Sequence, residues 1–330
     1  MRSPRVVAIF VACLFLFGCT SRSGVDDLMP RPSSEITSSI TPSVAVGEMA
    51  GEPIVGLAEE QTEQIEADAG APEVETAALI PSARPTAAAR ALDRSVVHPR
   101  KFRDAKPINF GRNYSPKNLP VHGVDVSRWQ GDIDWAKLKS QGANFVYIKA
   151  TDGGDHLDPM FKKNWRNAHQ AGLKRGAYHF FYWCRAASSQ ADWFIRNVPK
   201  VEGALPPVID VEWNHLSNCK KRPSPAKVRE KMQVFMDRLE AHYGQRPVIY
   251  TAPDFYRDNL KGAFQNHPFW LRAVAQHPSK VYPGRKWVFW QYSGSGLSHG
   301  VDGRIDLNAF HGSEADWRRW LSGATFVASN

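Results

Sequence analysis

The sequence predicts an α/β barrel of eight strands, preceded by a disordered N-terminal tether. Three observations predict it. From Val121 onward, short β-branched and aromatic runs alternate with amphipathic stretches. Several of these runs are apolar throughout, as strands buried on both faces of a parallel sheet must be. Aromatic residues are also segregated: none lies between Gly18 and Lys101, and every Trp lies at or after Trp129. With 42% hydrophobic residues over 330 positions the chain can bury a sizeable core, but the material for it sits in the second part.

The first element is an export signal over residues 1–18. Arg2 and Arg5 precede an apolar run from Val6 to Phe17, too short for a bilayer span, which takes roughly 20 apolar residues. Leu16-Phe17-Gly18-Cys19 resembles a bacterial lipobox, which makes Cys19 the expected lipidation site and first mature residue. The alternative is plain secretion. Thr20 follows Cys19 in place of the Asp that retains such lipoproteins at the inner membrane. The expected location is therefore the cell envelope, on an outer membrane facing the periplasm. Residues 19–105 are rich in Ser, Pro, Ala, Thr and Glu and lack the apolar surface a core needs. They read as a linker with an r.m.s. span of roughly 50 Å.

The catalytic domain is expected over 106–330. Candidate strands run over 123–127, 144–150, 175–181, 207–212, 247–251, 269–273, 286–292 and 304–308. Between them, Ala191, Phe194, Ile195 and Val198 fall at i, i+3, i+4 and i+7. Val228, Met232, Phe235 and Leu239 form the stripe of a longer helix. Ser224 is placed to cap that helix, Pro225 to start it and Gly244 to end it. The links between the late strands have weak helical patterns, so some helices of a complete eightfold barrel are expected to be missing. Glu314–Leu321 reads as a closing helix.

Chemistry in such a barrel sits at the C-terminal ends of the strands, and here acids stand at the predicted ends. Asp125 lies in the first strand, Asp210 and Glu212 in the fourth, and Asp306 in the eighth. Residues two apart on a strand share a face. Asp210 and Glu212 are then expected to point together into the barrel, where like charges so close push one pKa up. A protonated acid beside an ionised partner is the equipment for glycoside cleavage. The plain alternative is a structural ion pair with arginines.

The stretch Gly123-Val-Asp-Val-Ser-Arg-Trp-Gln-Gly131 with Ile133-Asp134-Trp135 resembles the opening of glycoside hydrolase family 25 lysozymes (N-acetylmuramidases). So do Phe145–Thr151, Gly176–Phe180, Pro207–Glu212, Trp290–Ser293 and Ile305–Asn308. The resemblance covers about 120–312 in the family's order. It implies a modified barrel of five β/α units and three further strands, (β/α)5(β)3. It also implies cleavage of the β-1,4 bond between N-acetylmuramic acid and N-acetylglucosamine in peptidoglycan. By position, Glu212 matches the family's general acid, Asp210 the assisting carboxylate, and Asp125 and Asp306 the other two acids. Spacing alone leaves open whether Asp210 attacks the sugar or orients its N-acetyl group. Tyr147, Tyr178, Gln291 and Tyr292 fall in matched strands as candidate sugar contacts, with barrel packing as the alternative for each. Two positions depart from the family: Asp152 stands where Glu is usual, and Trp270-Leu-Arg-Ala273 lacks the customary Ala and Tyr.

Cys184 and Cys219 each follow a predicted strand, the third and the fourth. Neighbouring parallel strands bring such loops together on one rim, so a disulfide is expected, with two free thiols as the alternative. No His or Cys spacing suits zinc, and no metal or cofactor is expected; His179 reads as strand packing. Residues 101–330 hold 34 Lys/Arg against 20 Asp/Glu, whereas residues 1–100 hold 8 against 13. For an exported chain, the acidic groups of peptidoglycan are the natural counter-charge to that basic surface, and nucleic acid is not an expected partner. The expected partners are thus peptidoglycan and, through Cys19, a membrane. Two rival readings remain: a non-catalytic wall-binding lipoprotein on the same barrel, and a glycosidase for another N-acetylated polysaccharide.

Overall fold

β1 (His122–Val126) opens a barrel in which each parallel strand through β6 is followed by a helix on the outer face. The computed structural model describes residues 97–102, 110–214 and 219–323. The expected signal peptide, most of the linker and the Cys19 lipidation site lie outside these residues. In chain order come α1 (Trp135–Gln141), β2 (Ala143–Asp152), the two-residue β3 (His156–Leu157), α2 (Phe161–Gln170), β4 (Lys174–Phe180) and α3 (Ala187–Asn197). Next are β5 (Val208–Val211), α4 (Pro225–Tyr243), β6 (Val248–Thr251), α5 (Pro253–Asn259), β7 (Phe269–Arg272) and the single-turn α6 (Pro278–Val281). The described part ends with β8 (Phe289–Gly296), β9 (Ile305–Phe310) and α7 (Glu314–Leu321).

The sheet order is β1-β9-β8-β7-β6-β5-β4-β2-β3, and an additional β1–β2 pairing closes the eight long strands into a barrel. Seven of the eight run parallel; β9 pairs antiparallel with both β8 and β1. The structure is the expected mixed α/β barrel. Five β/α units are followed by three strands whose connections hold one helical turn or none, which explains the weak helical patterns late in the sequence. β3 was not anticipated; it is a hairpin return of two residues against the end of β2. The packed region also begins before residue 106, because Phe102, the first aromatic after the long aromatic-free stretch, is buried in the core.

Two packed layers follow from strand alternation. Outward residues such as Val146, Ile148, Ile209, Val211 and Ile249 meet the buried stripes of the helices. α4 contributes Val228, Met232, Phe235, Met236 and Leu239. Ser224 caps it by accepting from the Lys227 N–H, Pro225 occupies its first turn, and Gly244 ends it at φ 70° in the left-handed region. The inward layer is aromatic at its floor. Phe145 meets Phe289 at 5.1 Å between ring centroids, Phe289 meets Phe310 at 5.7 Å, and Trp317 of α7 meets Phe310 at 5.1 Å. α7 thus plugs the end of the barrel opposite the C-terminal strand ends. Above the floor, Tyr147 stacks on Trp270 at 5.1 Å. Gly176 makes room for it, since a Cβ there would lie 2.2 Å from Tyr147 Cε1.

Candidate active site

The inward positions change from apolar to ionisable toward the C-terminal rim of the parallel strands. Asp125 of β1 is buried, and its Oδ2 accepts from Asn308 Nδ2 at 2.7 Å and Gln291 Nε2 at 3.0 Å. Both amides are held in turn. Trp270 Nε1 donates to Asn308 Oδ1 at 2.8 Å, and the Tyr250 hydroxyl donates to Gln291 Oε1 at 2.9 Å. The amide orientations follow from those donors. The chain of bonds ties β1, β6, β7, β8 and β9 together around one carboxyl group. Burial raises the pKa of Asp125, against the bonds from Asn308, Gln291 and Asp306 that favour its charged form.

Asp306 reaches this group by an unexpected route. The sequence places it at a strand end, and the antiparallel course of β9 makes that the beginning of the strand. There Asp306 is the direct cross-strand partner of Asp125. The reversal carries Asp306 to the rim formed by the ends of the other strands.

Asp210 lies inward on β5, and Glu212 follows one residue past the end of that strand. Asp210 is buried, and its Oδ1 has no hydrogen-bond partner among the described residues. Burial and then the neighbouring Glu212 push the Asp210 pKa well above the carboxylate range, while Lys149 acts in the opposite sense. Glu212 is half-buried at the mouth. Burial raises its pKa too; Arg272 and the neighbouring Tyr250 hydroxyl pull down, and Asp254 and Asp125 push up. Beside this pair Lys149 sits fully inside the barrel, 2.8 Å from Asp152 with both side chains 2% exposed, and over the Phe180 ring. The short acid at position 152 is thereby part of a buried ion pair.

The four candidate sugar contacts separate by strand parity and by depth in the barrel. Tyr178 is buried on the inner face, where burial, then Asp125, Asp210 and the other acids, raise its pKa well above the ordinary phenol value. Gln291 belongs to the Asp125 network. Tyr147 lies one layer down, fully buried, and packs the barrel instead of lining an open groove. Tyr292 points the other way from Gln291, into the outer core beside Trp290, and its hydroxyl meets His122 Nδ1 at 3.0 Å. Those two positions are corrected to packing roles.

His179 is also an outward residue: Nδ1 meets the Thr151 hydroxyl at 2.8 Å, Nε2 meets Gln190 Oε1 at 3.1 Å, and Phe235 stacks on its ring. Burial brings its pKa down to about 3. The expected disulfide is present between Cys184 and Cys219, whose Cα atoms are 5.5 Å apart, and it joins the loops after β4 and β5. The sequence reading did not assign roles to Lys149, Tyr250, Arg272 and Asn308. Each is a polar or charged residue at inward parity, two positions from a recognised inward residue or in register with one, and that was the available signal.

The family described as glycosyl hydrolases family 25 matches residues 124–301. The solved structure of a family 25 glycosyl hydrolase from Bacillus anthracis is 39% identical with a TM-score of 0.58, covering 63% of this chain and 95% of that one. Lysozyme M1 of Streptomyces globisporus is 37% identical over 203 residues, 59% of this chain and 69% of that protein. The uncharacterized protein YegX of Escherichia coli O157:H7 is 36% identical over 227 residues, 67% of this chain and 81% of its own length.

Proposed function

This chain belongs to glycosyl hydrolase family 25 and is a glycoside hydrolase, and from that premise we propose that it is an N-acetylmuramidase of peptidoglycan. In this reading Glu212 protonates the oxygen of the β-1,4 bond between N-acetylmuramic acid and N-acetylglucosamine. Asp210 assists the reacting centre, and Asp125 and Asp306 complete the acidic wall of the site.

The observation that carries the proposal is the pair on the inner face of β5. Glu212, at the mouth, has its pKa raised by burial, the direction in which a general acid is tuned. Asp210 Oδ1, beside it, is a buried acceptor without a partner. A buried acceptor in that condition carries a penalty of about 1–3 kcal/mol, which the amide N–H of a substrate N-acetyl group relieves on binding. Accepting that N–H aligns the acetyl oxygen with the anomeric carbon as the bond to the leaving sugar breaks. The N-acetyl group then serves as the internal nucleophile, and water attacks in the second step with Glu212 as base. Tyr178 and the Asp125 network flank Asp210 on the inner face of the barrel.

The proposal extends to location. Export through residues 1–18 and lipidation at Cys19 would hold the domain at the envelope on its linker, with peptidoglycan as the substrate within reach. A mature N-terminus at Cys19 carrying acyl chains, read by mass spectrometry, tests that part.

Digestion of purified peptidoglycan followed by mass analysis of the muropeptides tests the chemistry. Products with reducing N-acetylmuramic acid ends are expected, and reducing N-acetylglucosamine ends would refute it. Glu212→Gln is expected to remove lysis while leaving the melting temperature near that of the parent.

A further inference from the structure

Arg272 is the inward residue of β7 above Trp270. Its level is fixed by register. Val211 pairs with Thr251 and Thr251 with Leu271, so Glu212, Ala252 and Arg272 stand one step further along three adjacent strands. On the other side, Arg272 pairs with Gln291. The residue between Glu212 and Arg272 is therefore Ala252, whose small side chain leaves the space above β6 open to a long neighbour. A similar opening exists beyond β8. Gly294 has no side chain, and a Cβ there would lie 3.8 Å from Arg272 Nη2 and 3.4 Å from Asp306 Oδ1. The backbone of Arg272 is fixed as well, because its carbonyl accepts from the Tyr282 hydroxyl at 2.6 Å.

We propose that Arg272 is a positioning residue of the active site, its guanidinium set across Ala252 from Glu212 and across Gly294 from Asp306 so that it orients both carboxyl groups at the mouth. This inference rests on the muramidase reading above. It adds a cation that the four acids do not supply by themselves.

The consequence is a limit on pH. A nearby cation favours the ionised form of a carboxyl group, and Arg272 acts on Glu212 in that direction. The groups facing Glu212 are Arg272 from β7, Tyr250 from β6, Asp254 from α5, Asp125 from β1 and Asp210 on its own strand. Arg272 is the one cation among them, and Lys149 faces Asp210 instead. The general acid must be protonated to work. Arg272 therefore lowers the pH above which activity falls, and biases the enzyme toward acidic conditions.

The test is the pH profile of kcat/KM on purified peptidoglycan for the full chain, Arg272→Met and Arg272→Lys, with melting curves for each. Arg272→Met is expected to move the alkaline limb up by about half to one pH unit, with Arg272→Lys intermediate. An unmoved limb, or one moved downward, overturns the proposal. Should Arg272→Met fail to fold, the direction of the limb in Arg272→Lys decides alone. Glu212→Gln run alongside separates the two readings. Its retained activity defeats the muramidase assignment, whereas its inactivity with an unmoved Arg272→Met limb defeats only the role of Arg272.

Discussion

Asp125 on β1 and Asp306 on β9 are direct cross-strand partners in an antiparallel ladder. Carboxylates placed opposite one another repel when both are charged; here Asp306 hydrogen-bonds to Asp125, which requires a proton between them, while the Asn308 and Gln291 amides donate to the same carboxyl at 2.7 and 3.0 Å. Asn308 joins this acid to the aromatic layer below, since it also accepts from Trp270.

Asn308→Leu keeps the approximate volume of the side chain and removes both bonds. It leaves the buried Trp270 indole N–H without its partner and takes from Asp125 Oδ2 one of its two amide donors, Gln291 remaining. At about 1–3 kcal/mol for the orphaned N–H, the expected loss is about 1–3 kcal/mol, read from the shift of the urea unfolding midpoint. The same substitution is expected to reduce lysis, because Asp125 is no longer held in place.

Asp210→Asn is expected to remove activity and to raise stability at neutral pH. The folded state lifts the Asp210 pKa well above its ordinary value, chiefly through burial and then Glu212. A group shifted upward contributes stability below its unfolded pKa, and that contribution is lost as pH rises through the folded value. Above the unfolded pKa that contribution is progressively lost, and the amide of Asp210→Asn, which does not titrate, escapes the loss. Below about pH 4 both side chains are neutral and the difference should vanish. Melting curves of the two proteins at acidic and neutral pH check the sign.

Gly176→Ala places a Cβ 2.2 Å from Tyr147 Cε1 and 3.0 Å from Leu205 Cβ. Neither neighbour has room to retreat inside the packed barrel. The expected destabilisation is about 1–3 kcal/mol or more. Combining it with Tyr147→Leu should recover part of the loss, a non-additivity that a double-mutant cycle on unfolding free energies measures.

The Cys184–Cys219 bridge joins the loop after β4 to the segment that follows Glu212. Alkylation of the unreduced protein should modify neither cysteine. Replacing both by Ser is expected to lower stability by about 2–4 kcal/mol and to lower kcat, because Trp183, next to Cys184, donates its indole N–H to the Glu212 carbonyl at 3.0 Å.

Much of this architecture was legible in the residues themselves. The period of two in the strands fixes which positions face inward, and it alone puts Asp210 and Glu212 on one face. The period near 3.6, with Ser224, Pro225 and Gly244 as punctuation, delimited α4 to the residue. Parity also held the information that Tyr292 faces away from Gln291, which the motif match obscured by treating neighbouring residues alike. Tyr147 required more, because its depth in the barrel depends on Gly176 of the next strand.

The sequence by itself determined the order of the elements, the inward acids and the pair of cysteines, because each follows from local periodicity or from composition along the chain. Tertiary structure alone decided that β9 runs against its neighbours and lies between β8 and β1. That placement brings Asp306 to Asp125, and the register across β5, β6 and β7 brings Glu212 level with Arg272. Strand direction and register are properties of barrel closure, set by which edges pair, and local pattern carries no record of them.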